Sequence, residues 1–501
     1  MIVLAIDQGT TGTKCTCYDH DQRPLSGVSM EFTQYFPQPG WVEHDAQEIW
    51  QCTLETASKA LAEAGADPGD IAAVGITNQR ETTVLWDRET GEPVRPAIVW
   101  QCRRSAEICM RCREDGLEEI FHKKTGLVLD PYFSGSKLTW VMENEPELAR
   151  RAAAGELCFG TIDSWLLYRL TGGRVHATDV SNASRTLLFN LHDLAWDPEL
   201  AELLGVPLSL LPEVKESSGV FGETDPDAFL GISAPIAGVA GDQQAALFGQ
   251  ACFHPGMTKN TYGTGSFVLM NIGDKPLFSQ QGLLTTVAWS LNGKASYALE
   301  GSIFITGAAV NWLRDGLGII SDVSEVDELA LQVEDTGGVY FVPAFVGLGA
   351  PYWDPNARAL LIGMTRGTGR AHIARAVIES MALQTADVVD VMQGEASIPL
   401  SELRVDGGAS VMDLLLQYQA DLLDVPVRRP VISETTSLGA ALLAGLAVGF
   451  WKDLTEIEQK WQLDKEARPE PSAADRVREM RRDWKRAVER SMEWAPTEED
   501  L

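Results

Sequence analysis

The stretch IVLAIDQGTTGTK, residues 2–14, decides the fold class. Ile2 to Ile6 form an unbroken apolar run, which is how a strand buried on both faces reads. Asp7 and Gln8 end the run and a Gly/Thr turn follows. Apolar character returns near Cys15–Asp19, which predicts a hairpin with a polar, glycine-bearing loop. Half a chain later the same grammar recurs. TKNTYGTGSFVLM, residues 258–270, reads as strand, glycine turn, strand. Two such hairpins in 501 residues predict an α/β protein with two related lobes, residues 1–250 and 251–501. The division falls at Gly249–Gly256, where His254-Pro255-Gly256 breaks the chain.

Outward from the first hairpin, Asp45 opens a helix. Glu48 sits three residues on as in a capping box, and Ile49, Leu54, Ala57 and Leu61 form an apolar stripe. Ile71–Thr77 reads as a strand that delivers Asn78-Gln79-Arg80-Glu81 at its end, a common functional position in α/β proteins. The apolar segment Ile236–Ala240 leads into Gly241-Asp242-Gln243-Gln244, and Leu403–Val405 into Asp406-Gly407-Gly408-Ala409 and a helix through Leu414–Tyr418. The tail from Pro469 reads as a charged, solvated helix over 476–494 with an acidic end.

Acidic residues outnumber basic ones by 71 to 41, a formal charge of -30. That field repels nucleic acid and anionic lipid, so any anionic ligand must be held by local donors and a metal. The N-terminal run has no charged region before it and is followed at once by Asp7, unlike a secretory signal. The apolar stretch Ala440–Trp451 is glycine-interrupted and too short to span a bilayer. No membrane insertion, no nucleic-acid partner and a cytoplasmic location are the expectations. The eight cysteines are scattered. Cys109 and Cys112 have C-x-x-C spacing without a second ligand pair, and are expected to be reduced structural thiols.

Four polar turns carry the candidate chemistry. In Asp7-Gln8-Gly9-Thr10-Thr11-Gly12-Thr13-Lys14 the glycines let backbone N–H groups face an anion and the threonines add donors. The spacing is not that of a Walker A loop. The Asp7 carboxylate suits a phosphate-bound Mg²⁺. Tyr262-Gly263-Thr264-Gly265-Ser266 is a second phosphate-type turn, and Asp406-Gly407-Gly408-Ala409 lets a nucleotide approach the backbone. Asp242 opens a small-residue helix, and in isolation can be no more than its cap.

These turns, in this order, resemble the FGGY carbohydrate kinases of the actin-like ATPase superfamily, within them the branch that phosphorylates glycerol. The resemblance runs nearly end to end. Its most specific stretches are PGWVEHD (39–45), GITNQRETT (75–83), IVWQCRR (98–104), DPYFSGSK (130–137), AGDQQAALFGQ (240–250), KNTYGTG (259–265) and PAFVGLGAPYWDP (343–355). It implies two actin-like, ribonuclease H-like lobes with a cleft between them, and ATP-dependent conversion of glycerol to sn-glycerol 3-phosphate. Glycerol would be held by Arg80, Glu81, Tyr132, Asp242 and Gln243, with Trp100 and Phe267 as apolar walls. A triol needs both donors and acceptors beside a carbon-facing wall, which these residues supply. Asp242 would be the general base. Thr10, Thr11, Gly12 and Lys14 would meet the phosphates of ATP, with Thr264, Gly307, Asn311, Gly408 and Met412 lining the rest of the nucleotide site and Asp7 holding Mg²⁺. Lys14 stands where the family commonly has Arg, Asn311 where it has Gln, and Met412 where it has Asn, so nucleotide contacts are where this chain is expected to differ. Relatives form homodimers or homotetramers. Some bind fructose 1,6-bisphosphate at a glycine-arginine loop, or are phosphorylated on His, before the catalytic strand. ETDPDAFLGISAP (223–235) has no Arg, Lys or His, and neither control is expected.

Overall fold

The computed structural model describes residues 1–495, so the acidic end expected for the tail lies outside the described residues. Thirteen strands make the main sheet: β1 Ile2–Gln8, β2 Gly12–Tyr18, β3 Pro24–Glu31, β4 Ile71–Asn78, β5 Ser218–Glu223, β6 Pro235–Gly241, β7 Met257–Tyr262, β8 Ser266–Gly273, β9 Leu284–Leu291, β10 Lys294–Ile303, β11 Glu402–Asp406, β12 Val427–Pro430 and β13 Leu463–Ala467. Their spatial order is β13-β12-β11-β7-β8-β10-β9-β5-β6-β4-β1-β2-β3.

The repeat predicted from the two hairpins is visible in that order. In the first half, β1 pairs antiparallel with β2 and β2 with β3, while β4 and then β6 add in parallel on the other side of β1. In the second half, β7 pairs antiparallel with β8 and β8 with β10, while β11 and then β12 add in parallel beyond β7. The two half-sheets meet at a single rung, Ser218 of β5 opposite Leu291 of β9.

The helices that position the site are α1 Ala46–Ala64, α2 Asp242–Gly249, α3 Gly307–Asp315, α4 Arg370–Ala396, α5 Asp413–Leu423, α6 Thr435–Ala447 and α7 Ala474–Ser491. Asp45 caps α1 as expected, accepting from the amides of Gln47 and Glu48. Glu48 does not close the capping box; its carboxylate accepts instead from the amide and hydroxyl of Thr33 at 2.9 Å, fastening α1 to the end of β3. Nor is α7 the solvated helix its charges predict. It buries Met480, Trp484, Ala487 and Val488, and the Trp484 indole donates to Asp387 at 2.7 Å. Charges on three sides of that helix hid a stripe of apolar residues on the fourth.

One packing relation ties the halves together. α6, from late in the second half, lies against β1, β4 and β6 of the first half and crosses α2. The approach is backbone to backbone. A Cβ on Gly75 of β4 would sit 2.3 Å from the Ala440 carbonyl oxygen, and one on Gly238 of β6 would sit 2.3 Å from the Ala444 nitrogen. At the helix crossing, a Cβ on Gly249 would lie 1.9 Å from the Thr435 oxygen and one on Gly439 would lie 1.8 Å from the Ala245 oxygen. Around this contact Val3, Ala5, Ala237, Ala245, Phe248, Leu438, Leu442 and Trp451 form one core drawn from both halves. Among the described residues no helix is long and apolar enough to cross a membrane, and all eight cysteines, Cys109 and Cys112 included, are buried and unpaired by disulfides.

Candidate active site

β4 ends at Asn78, and the chain then makes a sharp bend. Glu81 has φ 63°, a left-handed conformation that a non-glycine residue holds only when its surroundings impose it. Here the Ser134 hydroxyl donates to the Glu81 carbonyl at 2.8 Å and the Thr83 hydroxyl at 3.2 Å. The bend buries both side chains that sequence paired, Arg80 at 3% and Glu81 at 1% exposure. They are not each other's main partners, since Arg80 Nε lies 3.8 Å from Glu81 Oε1. Arg80 instead forms a two-pronged contact with Glu300, Nη1 to Oε2 at 2.5 Å and Nη2 to Oε1 at 3.0 Å. Glu81 accepts from Arg185 Nε at 2.7 Å, and Arg185 Nη2 donates to Glu300 at 2.9 Å.

Glu300 and Arg185, both fully buried, were missed by sequence reasoning. A signal for Glu300 existed. It interrupts the apolar strand segment Ala298-Leu299 in β10, and a charged residue inside such a strand is seldom buried without a partner. Burial raises the Glu81 carboxyl above its usual range, against the pull of Arg80 and Arg185. Burial works against the Glu300 carboxylate too, but Arg185 and then Arg80 outweigh it and hold its pKa at about 2.

Asp242 begins α2 at the end of β6. It is the first helical residue rather than the cap, which is Gly241, and its Oδ1 accepts from its neighbour Gln243's amide at 2.7 Å. Its side chain keeps 29% exposure, and Arg80 Nε stands 3.2 Å from Oδ1. A partly open carboxylate beside a buried guanidinium is a group that can take a proton from something entering the cleft. Gln243, nearly buried, gives its side-chain oxygen to the Lys259 ammonium. Lys259 is a further residue that sequence reasoning left out. Its Nζ also donates to the Thr261 hydroxyl at 3.0 Å, and burial depresses its pKa to about 8. Since an ammonium only donates, this contact turns the Gln243 NH₂ away from Lys259.

The expected walls gather around this group. The Arg80 guanidinium sits 5.8 Å over the Phe267 ring, the Trp100 and Tyr132 rings meet edge-on at 5.4 Å, and the Tyr132 hydroxyl is 3.4 Å from Arg80 Nη2. Trp100 also reaches the first turn, donating its indole N–H to the Thr10 hydroxyl at 2.9 Å.

That turn is closed by the Gly9 amide on the Gly12 carbonyl at 2.9 Å, with Thr11 exposed at its tip. Asp7, next to last in β1, is half-buried, and burial, then the charges of Asp242 and Glu434, raise its pKa to about 7. Lys14 is salt-bridged to Glu434 at 2.8 Å, at the mouth of α6. Asp7 is thus an oxygen donor beside Asp242 and Glu434, only partly offset by Lys14, and a carboxylate so placed is the kind of ligand a hard divalent cation takes, although among the described residues no three such ligands gather.

On the second half, three turns converge. The Gly307 amide donates to the Gly263 carbonyl at 3.0 Å and the Ala308 amide to the Thr264 carbonyl at 3.1 Å. A Cβ on Gly307 would lie 2.5 Å from the Gly263 oxygen, and one on Gly407 would lie 2.4 Å from the Tyr262 oxygen. Thr264, Gly307 and Gly408 are therefore brought together, with Asn311 exposed one turn along α3 and Met412 buried at the start of α5.

The chain is similar to known proteins over nearly its whole length. Residues 2–249 match the N-terminal domain of the FGGY family of carbohydrate kinases, and residues 258–448 match its C-terminal domain. The chain is 60% identical to glycerol kinase 2 of Thermotoga maritima, over 98% of this chain and 99% of that one. It is 57% identical to glycerol kinase of Caldanaerobacter subterraneus, again over 98% and 99%. Among solved structures, Plasmodium falciparum glycerol kinase with ADP superposes with a TM-score of 0.91 at 37% identity, covering 98% of each chain.

Proposed function

Because the chain belongs to the FGGY family of carbohydrate kinases, we propose that its site transfers the γ-phosphoryl group of ATP to glycerol, giving sn-glycerol 3-phosphate. The observation that carries this reading is the meeting of the half-open Asp242 carboxylate, a donor–acceptor set and an aromatic wall that reaches the Gly9–Gly12 turn through Trp100.

In this reading Asp242 is the general base, taking the proton of a terminal hydroxyl as its oxygen attacks phosphorus in line. Arg80, Glu81, Tyr132 and Gln243 hold the hydroxyls, and Trp100 and Phe267 face the carbons. Phosphoryl transfer rests on positioning and charge neutralisation more than on covalent chemistry. Thr10, Thr11, Gly12 and Lys14 meet the phosphates; Thr264, Gly307, Asn311, Gly408 and Met412 line the nucleotide. Mg²⁺ held through Asp7 would supply the missing positive charge there. A domain division near residue 250, a cytoplasmic location and a homodimer or homotetramer complete the proposal.

ADP release measured in parallel with glycerol, erythritol, xylulose and no acceptor tests it. Glycerol is expected to exceed the others by at least tenfold in kcat/KM, the order expected when an extra carbon must fit a closed pocket. Equal rates with and without acceptor would sink it. A second outcome follows from the Lys259 contact. Lys259→Met frees the Gln243 amide to flip, and the KM for glycerol is expected to rise about tenfold, the worth of one charge-assisted hydrogen bond, with the KM for ATP unchanged. An unchanged glycerol KM would remove Gln243 from the contact set.

A further inference from the structure

The terminal N–H groups of Arg80 are almost fully engaged by protein. Nη1 reaches Glu300 at 2.5 Å and Gln244 Oε1 at 3.3 Å, and Nη2 reaches Glu300 at 3.0 Å and the Tyr132 hydroxyl at 3.4 Å. Only Nε, 3.2 Å from Asp242, and the long contact to Tyr132 leave room for a ligand to compete. The guanidinium is thus placed between two carboxylates of unequal hold. Glu300 grips it with two short, charge-assisted bonds, while Asp242 faces a single N–H at longer range. Glu300 is fully buried on β10 of the second half, whereas Arg80, Arg185 and Asp242 belong to the first.

We propose that Glu300 is a positioning residue for phosphoryl transfer, whose carboxylate holds the Arg80 guanidinium off Asp242 so that the base stays free for the substrate hydroxyl. Arg185 anchors the tether, since it donates to the same Glu300 oxygen that receives Arg80 Nη2 and joins that oxygen to Glu81. With an amide at position 300, a donor group faces the donors of two guanidinium ions, and Arg80 has Asp242 as its nearest carboxylate alternative. A firmer Arg80–Asp242 pair would occupy the base and withdraw Nε from the substrate. Nucleotide contacts, on the turns at Thr264, Gly307 and Gly408, would be untouched.

The inference rests on the glycerol-phosphorylating reading, and a double-mutant cycle tests it separately from that reading. Glu300→Gln is expected to lower glycerol kcat/KM about 100-fold, through both a lower kcat and a higher glycerol KM, with the ATP KM within twofold of the parent. In an Arg80→Gln background the same change is expected to cost less than threefold, because the group it acts through is gone. Should Glu300→Gln fail to fold, Glu300→Asp keeps the charge but withdraws it by one methylene. It is expected to cost about tenfold, again only when Arg80 is present. Equal costs with and without Arg80, or kcat/KM within twofold of the parent in either variant, would overturn the role. A parent active only with another polyol would overturn the choice of glycerol instead, and the cycle is then run on that acceptor. A parent with no acceptor-dependent ADP release would overturn both.

Discussion

Asp242→Asn is expected to lower glycerol-dependent ADP release by about 10³- to 10⁴-fold, the upper range for loss of a general base. The substitution is isosteric. The contact from the Gln243 amide at 2.7 Å survives, because an Asn oxygen accepts it equally well. Arg80 loses a neighbour at 3.2 Å but keeps Glu300, so its buried charge stays compensated and the fold should persist. Glycerol and nucleotide binding, measured by calorimetry, should change little beside the rate. A variant that turns over within tenfold of the parent would end the assignment of Asp242 as base, and would leave positioning alone to explain the chemistry.

The other large effect is expected at the crossing of α2 and α6. At Gly439 a Cβ would stand 1.8 Å from the Ala245 carbonyl oxygen, closer than any side chain can approach backbone. Gly439→Val must therefore push two helices apart that are packed through their main chains. The cost is expected to be about 3 kcal/mol or more in thermal or denaturant unfolding, at the upper end for overpacking. Gly439→Ala should fall between that variant and the parent. Activity should fall further than stability explains, because α2 carries Asp242 at its first position and any displacement of α2 moves the base. Unfolding within about 1 kcal/mol of the parent would mean that the crossing relaxes freely, contrary to the close packing of protein interiors.

Both predictions draw on parts of the molecule that differ in how readable they were. The hairpins at 2–14 and 258–270 were legible because period, glycine and polar termini agree within a dozen residues, and the repeated strand order follows from them. The Asp45 cap was legible for the same local reason. Glu48 was not, because Thr33, its partner, lies outside the helix and capping rules look only inside it. The tail helix misled through composition, since four buried apolar residues are enough to dock it. In the site, residues on named motifs could be found one by one. Arg185 lies on none, Lys259 sits in a quoted stretch without a readable role, and Glu300 shows only as a charge in an apolar strand, because what makes them functional is a set of partners separated by 16 to 220 positions. Nor did adjacency in sequence predict pairing. Arg80 and Glu81 look like an ion pair, yet the left-handed bend at Glu81 sends each to a different partner.

The contact of α6 with β1, β4 and β6 also bears on how the chain is made. A ribosome delivers the first half of the sheet long before residues 435–447, so the face that α6 covers, with Gly75 and Gly238 in it, waits uncovered until that helix is made. Arg80 and Arg185 wait likewise for Glu300. The early half is therefore not a finished body that the later half joins. Its last layer and its counter-ion are both encoded downstream, and the nascent chain must hold that surface open until residues 435–447 have been made.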